Sequence, residues 1–316
     1  MVKIERILCP TDLTTESEEA LRYAVALARV YEARLMLCHC GGRSSAFAPD
    51  VGGEKAGGRL KTLFEDALAR HMGVTDFSRL DWEGLLLEGD DPGAAVAREA
   101  AERRADLIVM RSRRRRFAAA LLGSTAETVC RTAPCSVLVT HAREREWVGA
   151  SAGDIGLERV LVAHDFSDRS ELGLQYGVSL AKRFGAEFHL LHVLTEPERD
   201  APEPAWAAGT TQGLYHSSVR RLQDAVTGEI AAPTKVKPVV LRGRPYEKIL
   251  TYAAENEIDL LCIGSDGVGR GPRALFGSNV DRVLRQSPCP VLVARPFKPA
   301  ASQACCFCHS SEEEVK

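Results

Sequence analysis

The sequence predicts an α/β protein built as two tandem copies of one doubly wound, parallel-sheet fold. The first observation behind this is an internal repeat. Arg6-Ile7-Leu8-Cys9-Pro10-Thr11-Asp12 returns as Arg159-Val160-Leu161-Val162-Ala163-His164-Asp165, an offset of 153 between positions 12 and 165. At that offset Ser17 meets Ser170, Leu21 meets Leu174, Tyr23 meets Tyr176, His39 meets His192 and Asp106 meets Asp259. After a one-residue slip, Gly123-Ser124 meets Gly277-Ser278 and Ala133-Pro134-Cys135 meets Ser287-Pro288-Cys289. The second observation is the alternation of short apolar runs with amphipathic helical stretches in each copy. Strands that are apolar almost throughout are buried on both faces, which requires helices above and below a parallel sheet. Right-handed crossovers then restrict the topology to a doubly wound arrangement. The third is a glycine loop, Gly264-Ser265-Asp266-Gly267, standing where the apolar run 259–263 stops.

In chain order, strands are predicted near 4–9, 34–40, 82–88, 106–110 and 136–140, with helices near 15–31, 57–71, 93–104 and 122–132. The second copy repeats the pattern, with strands near 158–164, 187–193, 236–242, 259–263 and 290–294. The stretch 141–157 is polar and contains glycine, so it reads as the linker. Residues 41–58 and 196–209 read as loops after the second strand of each copy, rich in glycine and in proline respectively. Both leave C-terminal strand ends, where open α/β sheets bind ligands, and both read as insertions rather than lids. The resulting units are 1–142, 157–297 and a cysteine-containing tail, 298–316.

Bulk properties exclude several classes. The chain has 316 residues, 45% hydrophobic, and a formal net charge of −2, so nothing global asks for nucleic acid or an anionic membrane. Charges at Lys3, Glu5 and Arg6 interrupt what a signal peptide would need, and no apolar run reaches membrane-span length. A cytoplasmic location is the expectation. Cys9, Cys38, Cys40 and Cys262 sit in apolar runs, and Cys130, Cys135 and Cys289 flank the last helix–strand connections; all read as small buried hydrophobes.

The glycine loop is not a Walker A loop, and it is not the Gly-x-Gly-x-x-Gly dinucleotide fingerprint. Its glycines let the backbone turn sharply and bring N–H groups close to a ligand. Gly277-Ser278-Asn279 then opens a helical segment through Gln286, so strand, loop and helix N-terminus together form an anion site. The spacing Gly264-x2-Gly267-x9-Gly277-Ser278 resembles the ATP-binding motif of the universal stress protein family. With the duplication, that resemblance extends over almost the whole chain. It implies a Rossmann-like sheet order 3-2-1-4-5 in each copy, the copies related by a pseudo-two-fold axis, and a switch point between first and fourth strands.

The resemblance also implies roles. Asp165 would meet the adenine end of ATP, although a carboxylate there is also a helix cap, a job Ser167 or Ser170 could share. Val193 would meet the base through its backbone. Gly264 and Gly267 would wrap ribose and phosphates, while Gly277, Ser278 and Asn279 would hold phosphate oxygens. Asp266 departs from the family habit; it either points outward or helps hold Mg2+ through water. His39 and His192 read as structural hydrogen-bonders.

The first copy has Arg111-Ser112-Arg113-Arg114 where the second has its glycine loop, so its pocket is expected to be closed or altered. The five arginines within 111–116 read as a solvated or partner-docking patch rather than a nucleic-acid site. No catalytic constellation is evident; the candidate bases for hydrolysis are His164 and Asp266. The segment Cys305-Cys306-Phe307-Cys308-His309 lacks a second ligand pair and reads as a mobile tail. The expectation is a stress-linked binding protein with one ATP-binding half, any hydrolysis being slow and incidental. Its domains would pair within the chain, with protein partners and homodimerisation left open. The rival is a nucleotide-free protein that dimerises and docks partners; a phosphoryl-transfer enzyme on a related fold is the third reading.

Overall fold

Among the described residues the apolar runs become ten strands. They are β1 (Arg6–Pro10), β2 (Arg34–Gly41), β3 (Trp82–Glu88), β4 (Leu107–Arg111) and β5 (Ser136–Thr140), then β6 (Arg159–Ala163), β7 (Glu187–Leu194), β8 (Val236–Arg242), β9 (Leu260–Gly264) and β10 (Val291–Ala294). Between them run α1 (Thr15–Tyr31), α2 (Pro49–Met72), α3 (Pro92–Glu102), α4 (Ser124–Thr132), α5 (Asp168–Phe184), α6 (Ala207–Thr227), α7 (Pro245–Glu255) and α8 (Ser278–Gln286). The computed structural model describes residues 2–41, 49–72, 80–112, 122–142, 144–149, 154–195, 207–227, 236–265 and 278–297.

All ten strands join one sheet in the order β3-β2-β1-β4-β5-β10-β9-β6-β7-β8. Each half therefore has the 3-2-1-4-5 order, and every pairing inside a half is parallel. The halves meet where β5 pairs antiparallel with β10, placing Val139 opposite Val291, Leu138 opposite Leu292 and Val137 opposite Val293. Antiparallel pairing of equivalent strands is what a two-fold relation demands. It also removes two strand edges that would otherwise expose unpaired backbone groups.

Alternation along each strand sends neighbouring side chains to opposite faces. Ile7, Leu35, Val109, Val160, Leu190 and Cys262 pack on the face covered by α1, α2, α5 and α6. Leu8, Met36, Ile108, Leu161, Leu191 and Ile263 pack on the other, beneath α3, α4, α7 and α8. Each core runs through both halves, and burying such side chains is worth about 1.5–3 kcal/mol apiece. The cysteines predicted to be buried are free and buried, except for half-buried Cys40. Burial pushes the Cys9 thiol up to about 12 and Cys40 to about 11, so neither is a ready nucleophile.

One expectation needs correcting. Helix α2 begins at Pro49, inside the stretch read as loop to residue 58; Pro at a helix's first position is pre-set for it, and its glycines are carried along. The linker itself carries an anchor. Trp147 and Val148 are buried, the Trp147 ring lying 4.9 Å from Tyr23 of α1 and 6.1 Å from Phe184 of α5. An isolated antiparallel bridge joins Val148 to Ile155. Polar composition hid one aromatic anchor that fills the seam between the two helices.

The repeated aspartates are fasteners. Asp106 Oδ2 accepts the N–H groups of Glu5 and Arg6 at 2.8 and 2.9 Å. Asp259 Oδ2 accepts those of Glu158 and Arg159 at 2.9 and 2.8 Å, and its Oδ1 accepts from Arg145 of the linker. Each carboxylate thus ties the start of β4 or β9 to the start of β1 or β6. Asp259→Ala would leave two amides unpaired and take from Arg145 one of its two carboxylates, the other being Glu257, so urea unfolding should show a loss of about 2–3 kcal/mol. Asp259→Asn should cost less, and a loss below about 1 kcal/mol for the alanine variant would contradict this role.

Candidate functional site

The switch point of the second half lies where β6 and β9 pair and their continuations diverge to opposite faces. Ala163 pairs with Ile263 on one side and with Leu191 on the other. Val193, Asp165 and Ser265 each lie two residues beyond that paired row. Val193 and Asp165 are half-buried, and Ser265 is buried with its N–H bonded to the Ala294 carbonyl at 3.0 Å. From the opposite face, α8 begins at Ser278, which is exposed, with Asn279 half-buried behind it. The first-turn N–H groups of α8 have no partner within the helix and make the positive end of its dipole. Gly267, Gly277 and Asp266 lie outside the described residues, as do Arg113 to Arg116 and the Cys305–Cys308 tail.

Asp165 stands two residues beyond β6 rather than at its end. Its Oδ1 accepts from the Ser167 N–H at 3.1 Å and hydroxyl at 2.5 Å, closing a local turn. Ser167 then caps α5, exchanging hydrogen bonds with Ser170 in a capping box. Asp12 repeats the arrangement, accepting from the Thr14 hydroxyl at 2.6 Å. The residue after each aspartate has a left-handed backbone, Leu13 at φ 62° and Phe166 at φ 63°.

Gly264 is the last residue of β9, paired with Ala294, and does not itself make the turn expected of it. It is glycine for a different reason. A Cβ there would stand 2.5 Å from the Arg169 carbonyl oxygen and 2.8 Å from the Ser170 nitrogen, in the first turn of α5. Two α5 glycines complete the approach: a Cβ on Gly173 would lie 3.3 Å from the Gly264 nitrogen, and one on Gly177 2.3 Å from Val162. The first half has Ala20 and Ala24 at the corresponding places. Sequence reasoning passed over Gly173 and Gly177; comparing the two copies position by position would have found them.

Arg111 takes the place of Gly264 in the first half. Its side chain, only 7% exposed, pairs with Glu19 of α1. Burial lowers its pKa, while Glu144, Glu16 and Glu146 oppose that shift. This guanidinium is committed to α1 and the linker, and the first switch point is built differently from the second.

The histidines have settled roles. His192 Nδ1 donates to the His164 carbonyl at 2.8 Å, and His39 Nδ1 likewise reaches the Thr11 carbonyl at 3.0 Å. His164 Nδ1 accepts the Phe166 N–H at 3.2 Å, which leaves Nε2 to carry the proton facing Glu171 at 3.4 Å. With its lone pair used by the backbone, His164 is not a free base, which removes one of the two candidates for hydrolysis.

A profile of the universal stress protein family matches residues 3–141 and again 156–295. The chain belongs to the universal stress protein family. A universal stress protein of Mycolicibacterium smegmatis is 28% identical over 304 residues, covering 92% of this chain and 97% of the relative. One from Thermus aquaticus is 30% identical over 138 residues, covering 43% of this chain and 97% of its own length, as expected of a single copy. The crystal structure of a universal stress protein from Archaeoglobus fulgidus shares the fold with a TM-score of 0.68 at 22% identity, covering 93% and 99% of the two chains. Among the described residues no helix is long and apolar enough to cross a membrane.

Two outcomes follow. Gly264→Ala should destabilise the protein by about 1–3 kcal/mol without any ligand present, because backbone atoms must move; an unchanged melting temperature would contradict the packing account. Burial lowers the pKa values of His164 and His192 from the ordinary 6.5, so the unfolded chain takes up protons first on acidification. Stability should therefore be full above pH 6.5 and fall as the pH drops below it. Thermal unfolding at pH 7.5 and 5.5 measures this, and a His164→Gln/His192→Gln variant should lose less between the two.

Proposed function

We propose that this protein binds ATP in its second half and serves as a stress-linked binding or signalling protein in the cytoplasm, its first half acting as a structural partner. Asp165 and the Val193 backbone take the adenine end. Gly264 and Gly267 lie along ribose and phosphates, and Gly277, Ser278 and Asn279 donate to phosphate oxygens, with Mg2+ accompanying the triphosphate. The observation that carries the reading is that Val193, Asp165 and Ser265 each lie two residues beyond the paired row Leu191, Ala163 and Ile263 at the switch point, in the copy that retains the glycine spacing. An exposed serine at a helix start with open N–H groups suits a phosphate. With His164 engaged, hydrolysis is slow and incidental.

The rival, a nucleotide-free docking protein, draws on two specific observations. Asp165 already closes a turn, and Gly264 is required by the packing of α5. Neither explains Gly267, and the test rests there. Gly267→Val should abolish ATP binding while circular dichroism stays native, since the added side chain enters the phosphate space. Charge-assisted N–H bonds are worth about 1.5–3 kcal/mol each, so losing two or three weakens binding by orders of magnitude. Ser278→Ala should cost only about five-fold, because the helix N–H groups remain. A folded Gly267→Val variant that binds ATP like the wild type would overturn the reading and favour the rival.

A further inference from the structure

Three groups gather on the ring of Phe166, the residue after Asp165. The Arg221 guanidinium of α6 lies over the ring with Cζ 3.7 Å from the centroid. The His192 and His164 rings stand 4.4 and 5.2 Å from the same centroid. Asp165, immediately before Phe166, acts on His192 in the opposite sense to Arg221, so the carboxylate and guanidinium both lie near that imidazole. The first half keeps the left-handed turn but not the cluster. Leu13 replaces Phe166, and the α2 positions corresponding to Arg221 at offsets of 153 and 154 are Leu68 and Ala67.

Arg221 is exposed, and among the described residues it makes no hydrogen bond or ion pair. Stacking engages the face of a guanidinium and leaves its five N–H donors pointing outward in the plane. An arginine so held is pre-oriented without being satisfied. It lies over the residue that follows Asp165 and near His192, the end of the switch point that the ATP reading gives to the base.

We propose that Arg221 recognises the purine in the second-half site, its guanidinium held flat on Phe166 and donating in-plane N–H bonds to ring nitrogen acceptors. This rests on the ATP reading above. Arg221 would read the acceptor nitrogens of the base, while Asp165 and the Val193 backbone meet the rest of its edge. Phe166 is the positioning residue: it touches Arg221 and fixes the plane in which the donors lie. The arginine and its platform occur together in the copy that keeps the glycine loop.

The test is a titration of wild type, Arg221→Ala, Arg221→Lys and Phe166→Leu with both adenosine and ATP, with circular dichroism confirming the fold. Arg221 is exposed and the first copy tolerates leucine at the Phe166 position, so all variants should fold. Arg221→Ala should weaken adenosine and ATP by the same factor, about ten-fold. Phe166→Leu should lose a similar amount, and Arg221→Lys should recover only part because it lacks the planar fork. A loss for ATP much larger than for adenosine would place Arg221 at the phosphates and overturn the proposal. Unchanged affinity for both ligands in Arg221→Ala would overturn it while leaving the ATP reading standing. Wild-type protein that binds neither ligand would overturn the ATP reading and this proposal with it.

Discussion

The second half depends on one main-chain contact: the first turn of α5 rests directly on the end of β9. A Cβ at Gly264 would meet the Arg169 carbonyl and the Ser170 nitrogen, and glycines 173 and 177 bring the rest of the helix down to the sheet. That approach fixes where α5 starts, and therefore where its cap, Ser167, and the turn through Asp165 and Phe166 must sit. The switch point is where strand end and helix start are held this close. In the first half, alanines replace two of these glycines and Arg111 the third, so the same topology yields a different end of the sheet.

Divergence of the two copies is made tolerable by what they share. The antiparallel seam of β5 and β10 and the Trp147 anchor between α1 and α5 join them into one sheet with a continuous core on each face. A copy so held contributes by burying its partner's edge strand, whatever becomes of its own ligand loop. Arg111 then serves α1 and the linker. Sequence pressure on the two halves need only agree at the fasteners, Asp106 and Asp259, and along the strands.

Most of the fold was legible because it rests on local, periodic signals. Buried parallel strands announce themselves as apolar runs, and the repeat showed that Asp106 and Asp259 share a job before that job was visible. The anchor in the linker went unread because it hangs on one Trp147 in a polar context, and the start of α2 misled because glycines mask a helix that Pro49 opens. At the candidate site the positions were legible but not all the reasons. A glycine signals that no Cβ is tolerated without saying which neighbour forbids it, and at Gly264 the neighbour is α5. Arg221 was illegible for a different reason: an arginine on the polar face of a helix reads as solvated until the topology sets it over Phe166.

The central claim is that this duplicated chain keeps one nucleotide site and has turned the other half to structural use. Isothermal calorimetry of the full chain with ATP and Mg2+ measures that claim directly through its stoichiometry. The account predicts a single class of sites with one ATP per chain. Two equivalent sites per chain would contradict the assignment of the first half, and no binding at all would contradict that of the second.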